Sequence, residues 1–266
     1  MENSRFQVET YTLKNQDCFA IFNALGNIDV ESNPEEGFYY KGTRFLSKLT
    51  LLLSNYRPIL LSASIKEDNT LFTSDLTNPD IYEDGELIIP KGTIHIFRSR
   101  FIYENCCYEK LIVRNYHLSP TSIELTLCFQ SDFSDIFEVR GFKRTKKGKL
   151  FEPTVEKNRL IIGYEGLDGK KRKLEISFSK TPEILFRDCA KYRIKLYPRK
   201  DFQLFITFRF IIEKEDNSKL PYSKALYLLR KYYKEWENES CMIYTSNTLF
   251  NQWLKRSLSD LSLIHI

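Results

Sequence analysis

The sequence is poor in the residues that build the commonest catalytic and cofactor sites. Its 266 residues include three histidines, two tryptophans and ten glycines. His95 and His117 have no partner at metal-ligand spacing, and the sequence has no G-x-S-x-G motif, so neither a metal centre nor an activated nucleophile is predicted. The scattered glycines form neither a G-x-G-x-x-G nor a Walker motif. We therefore expect no metal and no cofactor.

A strong excess of charge is also lacking. The chain has 40 basic and 35 acidic residues and a formal net charge of +5, with both signs spread along its length. This balance gives no electrostatic reason to expect nucleic acid as a partner. The densest basic stretch, Lys143 to Lys149, includes a glycine and lies between two predicted strands, so we interpret it as a solvated loop.

Long apolar runs are absent, and the first residues are charged. A secretory signal or a membrane-spanning segment is therefore not predicted. The six cysteines form no C-x-x-C motif, and four of them lie in apolar or strand-like runs, where cysteine is usually a small buried side chain. We expect a reduced, cytoplasmic protein without a membrane partner.

What the sequence does contain is a series of short apolar runs with a period of two. Such runs predict β-strands, and they are separated by clusters of Gly, Pro, Asn and Asp that favour turns. Asp168-Gly169 predicts a hairpin between two of them. The clearest runs are Lys48–Ser54, Thr93–Tyr103, Glu109–Tyr116, Ser122–Phe129, Leu160–Tyr164, Lys173–Phe178, Tyr192–Leu196 and Phe202–Ile212. The pattern predicts a mainly β fold, a large antiparallel β-sandwich, over residues 1–213.

The periodicity changes after Glu213. Over Ser223–Glu237 the apolar residues follow helical spacing, which predicts an amphipathic helix within a linker, residues 214–245. A second helix is predicted over residues 246–260, with Ser246 as its N-cap. Two helices after a large β domain indicate a domain boundary.

The predicted second helix exposes Leu258, Leu261 and Ile264, with nothing to cover them. We therefore expect the chain to be the front part of a longer protein. Residues 261–266, LSLIHI, match the translation of a transposon-end adapter used in sequencing libraries. We interpret them as an adapter-derived tail and assign His265 no function.

Carboxylates offer the only catalytic possibility among the residue types, in two segments. If Asp135–Arg140 is a strand, Phe137 and Val139 face the core, and Glu138 and Arg140 share the other face about 7 Å apart. Those two residues then form a surface ion pair, or a polar face toward sugar hydroxyls or another domain. The second segment, Asp75–Asp80, is interpreted as a turn initiated by Asn78-Pro79, with Asp75 as an Asx-turn residue.

Six blocks of the sequence resemble the N-terminal domain of glycogen debranching enzymes and their amylo-α-1,6-glucosidase-like relatives. They occur in the family's order between about residues 18 and 215. The blocks are 37–47 (GFYYKGTRFLS), 75–79 (DLTNP), 90–95 (PKGTIH), 108–111 (YEKL), 132–141 (DFSDIFEVRG) and 164–169 (YEGLDG). One departure is Gly42, where the family more often has an aspartate before the Thr-Arg pair.

The resemblance implies a β-sandwich that precedes an (α/α)₆ toroid carrying the catalytic carboxylates. Residues 246–260 would then be the first toroid helix. The intact parent would hydrolyse α-glucosidic bonds of a glycogen-like α-glucan without a cofactor, and this chain alone would be inactive. Its role would be to support the toroid and the glucan cleft. The candidate positions for the cleft or the domain interface are Asp75, Asn78, Asp135, Glu138 and Arg140, and no catalytic residue is expected here.

Two other functions remain open. An autonomous carbohydrate-binding module would hold a glucan on an exposed aromatic platform, although both tryptophans, Trp236 and Trp253, lie in the predicted helices. An oligomerisation domain would bury the helical tail against a second copy and would show concentration-dependent dimers through Trp253 and Leu258.

Overall fold

The fold is that of a mainly β protein with two helices near its C-terminal end, as the sequence predicts. A computed structural model describes residues 9–66, 69–213, 219–239 and 243–262, with only the backbone described for residues 237 and 259–262. The predicted strands over 48–212 are present, each within a few residues of the expected bounds.

The strands and helices are numbered in chain order. The first ten strands are β1 Thr10–Asn15, β2 Cys18–Asn23, β3 Ile28–Asp29, β4 Gly37–Tyr40, β5 Thr43–Leu46, β6 Lys48–Leu53, β7 Ile59–Ile65, β8 Phe72–Thr77, β9 Ile81–Glu83 and β10 Glu86–Ile89. The next ten are β11 Ile94–Tyr103, β12 Cys106–Asn115, β13 Thr121–Gln130, β14 Lys149–Leu150, β15 Thr154–Glu156, β16 Arg159–Glu165, β17 Lys171–Phe178, β18 Ile184–Leu185, β19 Cys189–Leu196 and β20 Asp201–Ile212. The helices are α1 Ile136–Val139, α2 Tyr222–Glu239 and α3 Thr248–Ser262.

Pairing between these strands is antiparallel and produces four sheets. The largest has nine strands in the order β14-β16-β17-β20-β12-β11-β8-β7, with β15 also paired to β16. A five-stranded sheet has the order β18-β19-β13-β6-β3, a four-stranded sheet β1-β2-β4-β5, and a small hairpin β10-β9. The β16–β17 hairpin turns at Asp168-Gly169, as predicted, because Gly169 adopts a φ of +72°.

Alternation along the strands determines which side chains enter the core. In β6, Leu49, Leu51 and Leu53 are buried while the residues between them are half-buried. These leucines belong to one apolar cluster with side chains from β13, β19 and the nine-stranded sheet, among them Leu204 and Ile206. The core therefore lies between the nine-stranded sheet and the smaller sheets, as in a β-sandwich.

Helix α2 covers part of the opposite face of the nine-stranded sheet. Its Ala225 and Leu229 are buried in a second cluster with Phe101 and Tyr108. The hydroxyl groups of Tyr222 and Ser99 are 3.0 Å apart. The helix begins one residue before the predicted Ser223, and its apolar stripe packs onto the sheet.

Helix α3 begins later than predicted. The predicted N-cap was Ser246, but the helix begins at Thr248, and the side chain of Asn247 accepts a hydrogen bond from the N–H of Phe250 at 3.1 Å. Asn247 therefore has the role of N-cap. Trp253 is 61% exposed and Leu249 is also exposed. The predictions about residues 214–218, the side chain of Leu261, Ile264 and most of the 261–266 tail concern positions outside the described residues.

Candidate functional site

An ion pair between distant residues joins two of the sequence blocks. Arg44, in β5, donates from Nε and Nη2 to the carboxylate of Asp132, at 3.1 and 2.5 Å. Its backbone N–H also donates to the carbonyl of Ser134 at 2.8 Å. The segment that follows β13 is therefore fixed against the β4–β5 hairpin by both side-chain and backbone contacts.

Gly37 and Gly42, both in the first sequence block, are glycine for different structural reasons. A Cβ on Gly37 would lie 2.5 Å from Cδ of Arg44, so the close passage of the arginine requires glycine there. Lys41 and Gly42 form the two-residue turn of the β4–β5 hairpin with φ values of +46° and +74°, the signature of a type I′ turn. The carbonyl of Gly42 accepts a hydrogen bond from Ile136. Glycine at position 42 therefore suits the positive φ of the hairpin turn, and its carbonyl contacts the start of α1.

The segment Asp135–Arg140 is not a strand, and this prediction was wrong. Asp135 caps the short helix α1 by accepting from the N–H groups of Phe137 and Glu138, and Glu138 accepts from the N–H of Asp135. This reciprocal capping box satisfies N–H groups that a lone strand would leave unpaired. Phe137 is 61% exposed and does not enter the core. Glu138 pairs with Lys147 at 3.4 Å rather than with Arg140, which is exposed at the end of α1.

Helix α1 forms one wall of a surface groove of about 360 Å³. The other walls come from the basic loop 143–149 and from the β16–β17 hairpin. The residues that line the groove are Thr43, Phe133, Asp135, Glu138, Arg144, Lys146, Lys147, Tyr164, Gly166, Leu167, Asp168 and Arg172. Residues 143–147 are exposed, as predicted for this loop, while Gly148 is half-buried and Lys149 begins β14. The loop also contributes Arg144, Lys146 and Lys147 to the groove.

Two aromatic rings meet at the base of the groove. Phe133 and Tyr164 stack with ring centroids 5.1 Å apart and an interplanar angle of 3°. The hydroxyl of Tyr164 accepts a hydrogen bond from the N–H of Gly148 at 2.9 Å, which fixes the basic loop beside the hairpin. Phe133 is buried, whereas Tyr164 is half-buried and available at the groove surface.

The carboxylates of the groove are paired with cations. Asp135 pairs with Arg144, and Arg172 donates to Asp168 while its Nε donates to Thr43 at 3.2 Å. Burial acts to raise the pKa of Asp135, but the N–H groups of Glu138 and Phe137 and the Arg144 guanidinium hold it below its ordinary value. Hydrogen bonding from Arg172 lowers the pKa of Asp168 to about 2.

These values limit what the groove can do chemically. A glycosidase acid must keep its proton near neutral pH, and this requires a raised pKa. Asp135 and Asp168 are instead ionised and already hydrogen-bonded. The groove therefore has fixed charges and a floor of aromatic rings. These features suit the binding of hydroxyl groups or of a polar protein loop.

The structure does not bring the five predicted site residues together. Asp135 and Glu138 line the groove, and Arg140 ends the helix beside it. Asp75 and Asn78 lie at β8, near the other end of the nine-stranded sheet.

The prediction that Asp75 lies in a turn was wrong, because Asp75 is within strand β8. Its Oδ1 is 2.9 Å from Nε2 of His95 on the neighbouring strand β11. Asn78 is fully buried: it donates to the carbonyls of Pro79 and Pro90 and accepts from the N–H of Ile94. The side chain of Asn78 thus joins the segments before and after the β9–β10 hairpin and does not face solvent.

Around Asp75 lies a second polar surface, which we call the Tyr116 surface. It comprises Asp75, His95, Arg114, Tyr116 and Asp201. Arg114 forms a bidentate pair with Asp201, at 2.5 and 2.6 Å, and its guanidinium lies 5.9 Å from the ring centroid of Tyr116. The rings of His95 and Tyr116 meet edge to face, and Tyr116 is 56% exposed.

Sequence reasoning did not find the arginines that pair with Asp132, Asp135 and Asp168. Arg44 stood inside a recognised block, but nothing in local spacing links it to Asp132. Arg144 and Arg172 come from a loop and a hairpin that meet α1 only in the folded chain. Within the described ranges, His, Cys, Asp and Glu side chains form no group of three or more that could hold a metal ion. The described helices include none with the length and apolarity needed to cross a membrane.

Comparison with known proteins places the chain in a family. Residues 13–207 match the family described as the N-terminal domain of (some) glycogen debranching enzymes. A search of curated protein sequences gave no match.

Several solved structures are similar in outline. A protein described as a kojibiose phosphorylase from the human microbiome matches over 94% of this chain with 11% identity and a TM-score of 0.49, and the chain spans 35% of that protein. A protein described as an aldose 1-epimerase from Escherichia coli K12 matches over 77% of this chain and 99% of its own, with 8% identity and a TM-score of 0.41. A galactose mutarotase related enzyme from Lactobacillus acidophilus matches over 80% of this chain and 100% of its own, with 10% identity and a TM-score of 0.42.

The family match runs from Leu13 in β1 to Thr207 in β20 and includes both sequence blocks joined by Arg44 and Asp132. The chain belongs to the family of N-terminal domains of glycogen debranching enzymes.

Proposed function

We propose that this chain is the non-catalytic N-terminal domain of a glycogen-debranching-type glycoside hydrolase, which supports the catalytic toroid and its glucan cleft. The observation that carries the proposal is the family match over residues 13–207, which spans most of the sandwich and stops before α2 and α3. The parent enzyme would hydrolyse α-glucosidic bonds, such as α-1,6 branch points, in the cytoplasm.

The state of the carboxylates supports a non-catalytic role. Hydrolysis of a glycoside requires one carboxyl group as acid and another as base or nucleophile. In the groove, Asp135 is an N-cap bound to Arg144, and Glu138 belongs to the same capping box and pairs with Lys147. Both carboxylates are therefore committed to holding α1 and the basic loop, so the groove suits binding better than acid–base chemistry.

The arrangement of the helices supports a role next to a second domain. Helix α2 is docked on the sandwich through Ala225 and Leu229, so it belongs to this domain and acts as the linker helix. Helix α3 instead exposes Leu249 and Trp253. We propose α3 as the first helix of an (α/α)₆ toroid, whose neighbouring helices would cover these side chains.

The groove is the part of the domain that we propose for the rim of the cleft or the interface with the toroid. Asp135, Glu138 and Arg140 keep this proposed role because they lie in or beside the groove. Asp75 is assigned instead to the Tyr116 surface, and Asn78 to local structure, because it is buried and fully hydrogen-bonded within its own loop.

The genomic sequence downstream of the codon for Asp260 tests this function directly. We expect it to continue into a long run of helical repeats with paired carboxylates. A stop codon at that point would contradict the proposal. As a second test, the purified chain is incubated with glycogen and assayed for released reducing sugar. We expect no release, and hydrolysis that Glu138→Gln abolishes would contradict a non-catalytic role.

The Tyr116 surface favours a second candidate function, carbohydrate binding. An exposed tyrosine ring beside a bidentate Arg–Asp pair and a His–Asp pair combines a stacking platform with hydrogen-bonding groups for vicinal hydroxyls. Affinity electrophoresis in gels containing glycogen tests it. If the surface binds glucan, Tyr116→Ala removes the retardation while Tyr82→Ala, at another exposed tyrosine, leaves it unchanged. Equal retardation of wild type and Tyr116→Ala would exclude this role.

A further inference from the structure

Two cysteines lie directly opposite each other in the five-stranded sheet. Strands β13 and β19 pair in antiparallel register, with Cys128 aligned to Cys189. The two are far apart in sequence, and the segment 129–188 between them includes α1, the basic loop and the β16–β17 hairpin. Only the register of the sheet brings them together.

The hydrogen bonds around the pair define its geometry. The N–H of Phe129 donates to the carbonyl of Asp188 at 2.8 Å, which joins the residue after Cys128 to the residue before Cys189. In an antiparallel ladder this bond flanks a non-hydrogen-bonded pair, whose Cα atoms are about 4.5 Å apart. A disulfide needs a Cα separation of about 4.4 to 6.8 Å, so the pair lies at the short end of the permitted range.

Both thiols point away from the core. Leu127, Phe129 and Ala190 are buried, so the alternation of the strands places Cys128 and Cys189 together on the outer face. Both are partly exposed. By contrast, Cys18, Cys106 and Cys107 are buried in the sandwich or beneath α2.

We propose that Cys128 and Cys189 form a thiol–disulfide modification site that reacts with a low-molecular-weight disulfide such as oxidised glutathione. The thiolate of one cysteine attacks the disulfide, breaks its S–S bond and releases one small thiol. The thiolate of the second cysteine then attacks the mixed disulfide and releases the other small thiol. The two protons of the cysteine thiols end on the released thiols, the protein pair is oxidised by two electrons, and the small disulfide is reduced by two.

The surroundings of the pair set the rate of this exchange. Burial raises the pKa of Cys128 and of Cys189, and Asp188 raises both further. Lys191 acts in the opposite direction on both thiols, and Lys48 on Cys128. The Cys128 thiol itself contributes to the raised pKa of Cys189, as expected for close neighbours. Because the thiolate is the attacking species, oxidation accelerates as pH rises.

The crosslink would close the segment 129–188 into a covalent loop that carries most of the candidate groove. It would join β13 to β19 without moving either strand, because their register already aligns the two residues. The inference does not depend on the proposed function, since it rests on sheet geometry alone.

The test uses the full chain with Cys241→Ser, because that cysteine lies outside the described residues. The reduced protein is incubated with oxidised glutathione, alkylated and digested, and the peptides are identified by mass spectrometry. We expect a linked peptide containing Cys128 and Cys189, a loss of two hydrogen atoms from the intact mass, and a higher thermal midpoint that reductant reverses.

The variants Cys128→Ser and Cys189→Ser are the matched controls. Each should give a persistent glutathione adduct on the remaining cysteine of the pair and no internal crosslink. The proposal is overturned if the Cys241→Ser chain, which has both cysteines of the pair, also retains glutathione on either of them or forms no crosslink. A crosslink that involves Cys18, Cys106 or Cys107 would overturn it as well.

Discussion

The guanidinium carbon of Arg100 lies 4.5 Å from the centroid of the Phe22 ring, and both side chains are fully buried between the sheets. Arg100 also donates to Glu109 at 2.7 Å, and Arg98 donates to the same carboxylate at 2.8 Å. Two buried cations thus share one buried anion, and the π face of Phe22 lies against the excess positive charge. Burial lowers the pKa of Arg98, because removing the guanidinium from water disfavours its charged form.

Removing the shared anion should destabilise the fold strongly. In Glu109→Gln, the two arginines remain buried without a counter-charge, and the expected loss in the free energy of unfolding is about 3–5 kcal/mol. Chemical denaturation followed by circular dichroism measures it. The control is Glu124→Gln at the partly exposed pair with Lys191, for which at most about 1 kcal/mol is expected. Similar losses in both variants would show that burial does not govern the cost.

Glu36 should make stability depend on pH. It is 1% exposed, and burial raises the pKa of its carboxyl group to about 7, although the N–H of Asp29 acts to lower it. The folded state therefore holds a proton that the unfolded chain, with a pKa of about 4.3, releases earlier. The stabilising contribution of Glu36 is fully present below the unfolded pKa and is lost as pH rises to about 7, a change of roughly 3 kcal/mol.

The variant Glu36→Gln tests this dependence. Glutamine still accepts from the N–H of Asp29 but carries no charge, so the decline in unfolding free energy between acidic and neutral pH should become shallower. Glu35→Gln, at the exposed neighbouring residue, should leave the profile unchanged. An unaltered profile in Glu36→Gln would exclude Glu36 as the source.

Gly37→Ala should destabilise the protein through its clash with Arg44. The added Cβ would lie 2.5 and 2.9 Å from the Cδ and Cγ atoms of Arg44, and the arginine would have to leave its position on Asp132. We expect a loss of about 1–3 kcal/mol in the free energy of unfolding.

A double-mutant cycle separates this clash from the backbone effect of losing glycine. If the arginine causes the cost, Gly37→Ala should be less destabilising in an Arg44→Ala background than in the wild type. Additive losses would assign the effect to the backbone. Thermal denaturation of the four proteins gives the coupling energy.

Helix α3 should mediate self-association at high concentration. Trp253 and Leu249 are exposed on α3, where the rings of Trp253 and Phe250 have centroids 5.6 Å apart, and such apolar patches promote contact between copies. Sedimentation velocity over a concentration series should show a growing dimer fraction, which Trp253→Glu abolishes. Gln252→Glu adds the same charge on the same helix and should preserve it. A monomer at every concentration would remove the oligomerisation hypothesis and leave the toroid proposal intact.

The segment around α1 contains two local patterns that predict different structures. Asp135 and Glu138 have the three-residue spacing of a capping box, which predicts a helix start. The apolar residues at 137 and 139 fit a strand equally well, and the strand interpretation was wrong. The deciding contacts are the hydrogen bonds from Ile136 to Gly42 and from Arg44 to Ser134, which come from a distant hairpin.

Local patterns of the sequence predict the long strands between residues 48 and 212, the hairpin at Asp168-Gly169 and the two C-terminal helices, because apolar periodicity and turn residues act over a few positions. The resemblance of six sequence blocks predicts the family. The pairs Arg44–Asp132, Asp75–His95 and Cys128–Cys189 follow from none of these local patterns and are formed only in the folded chain. Strand order and register depend on burying all apolar faces at once, which is a property of the whole chain rather than of any local pattern.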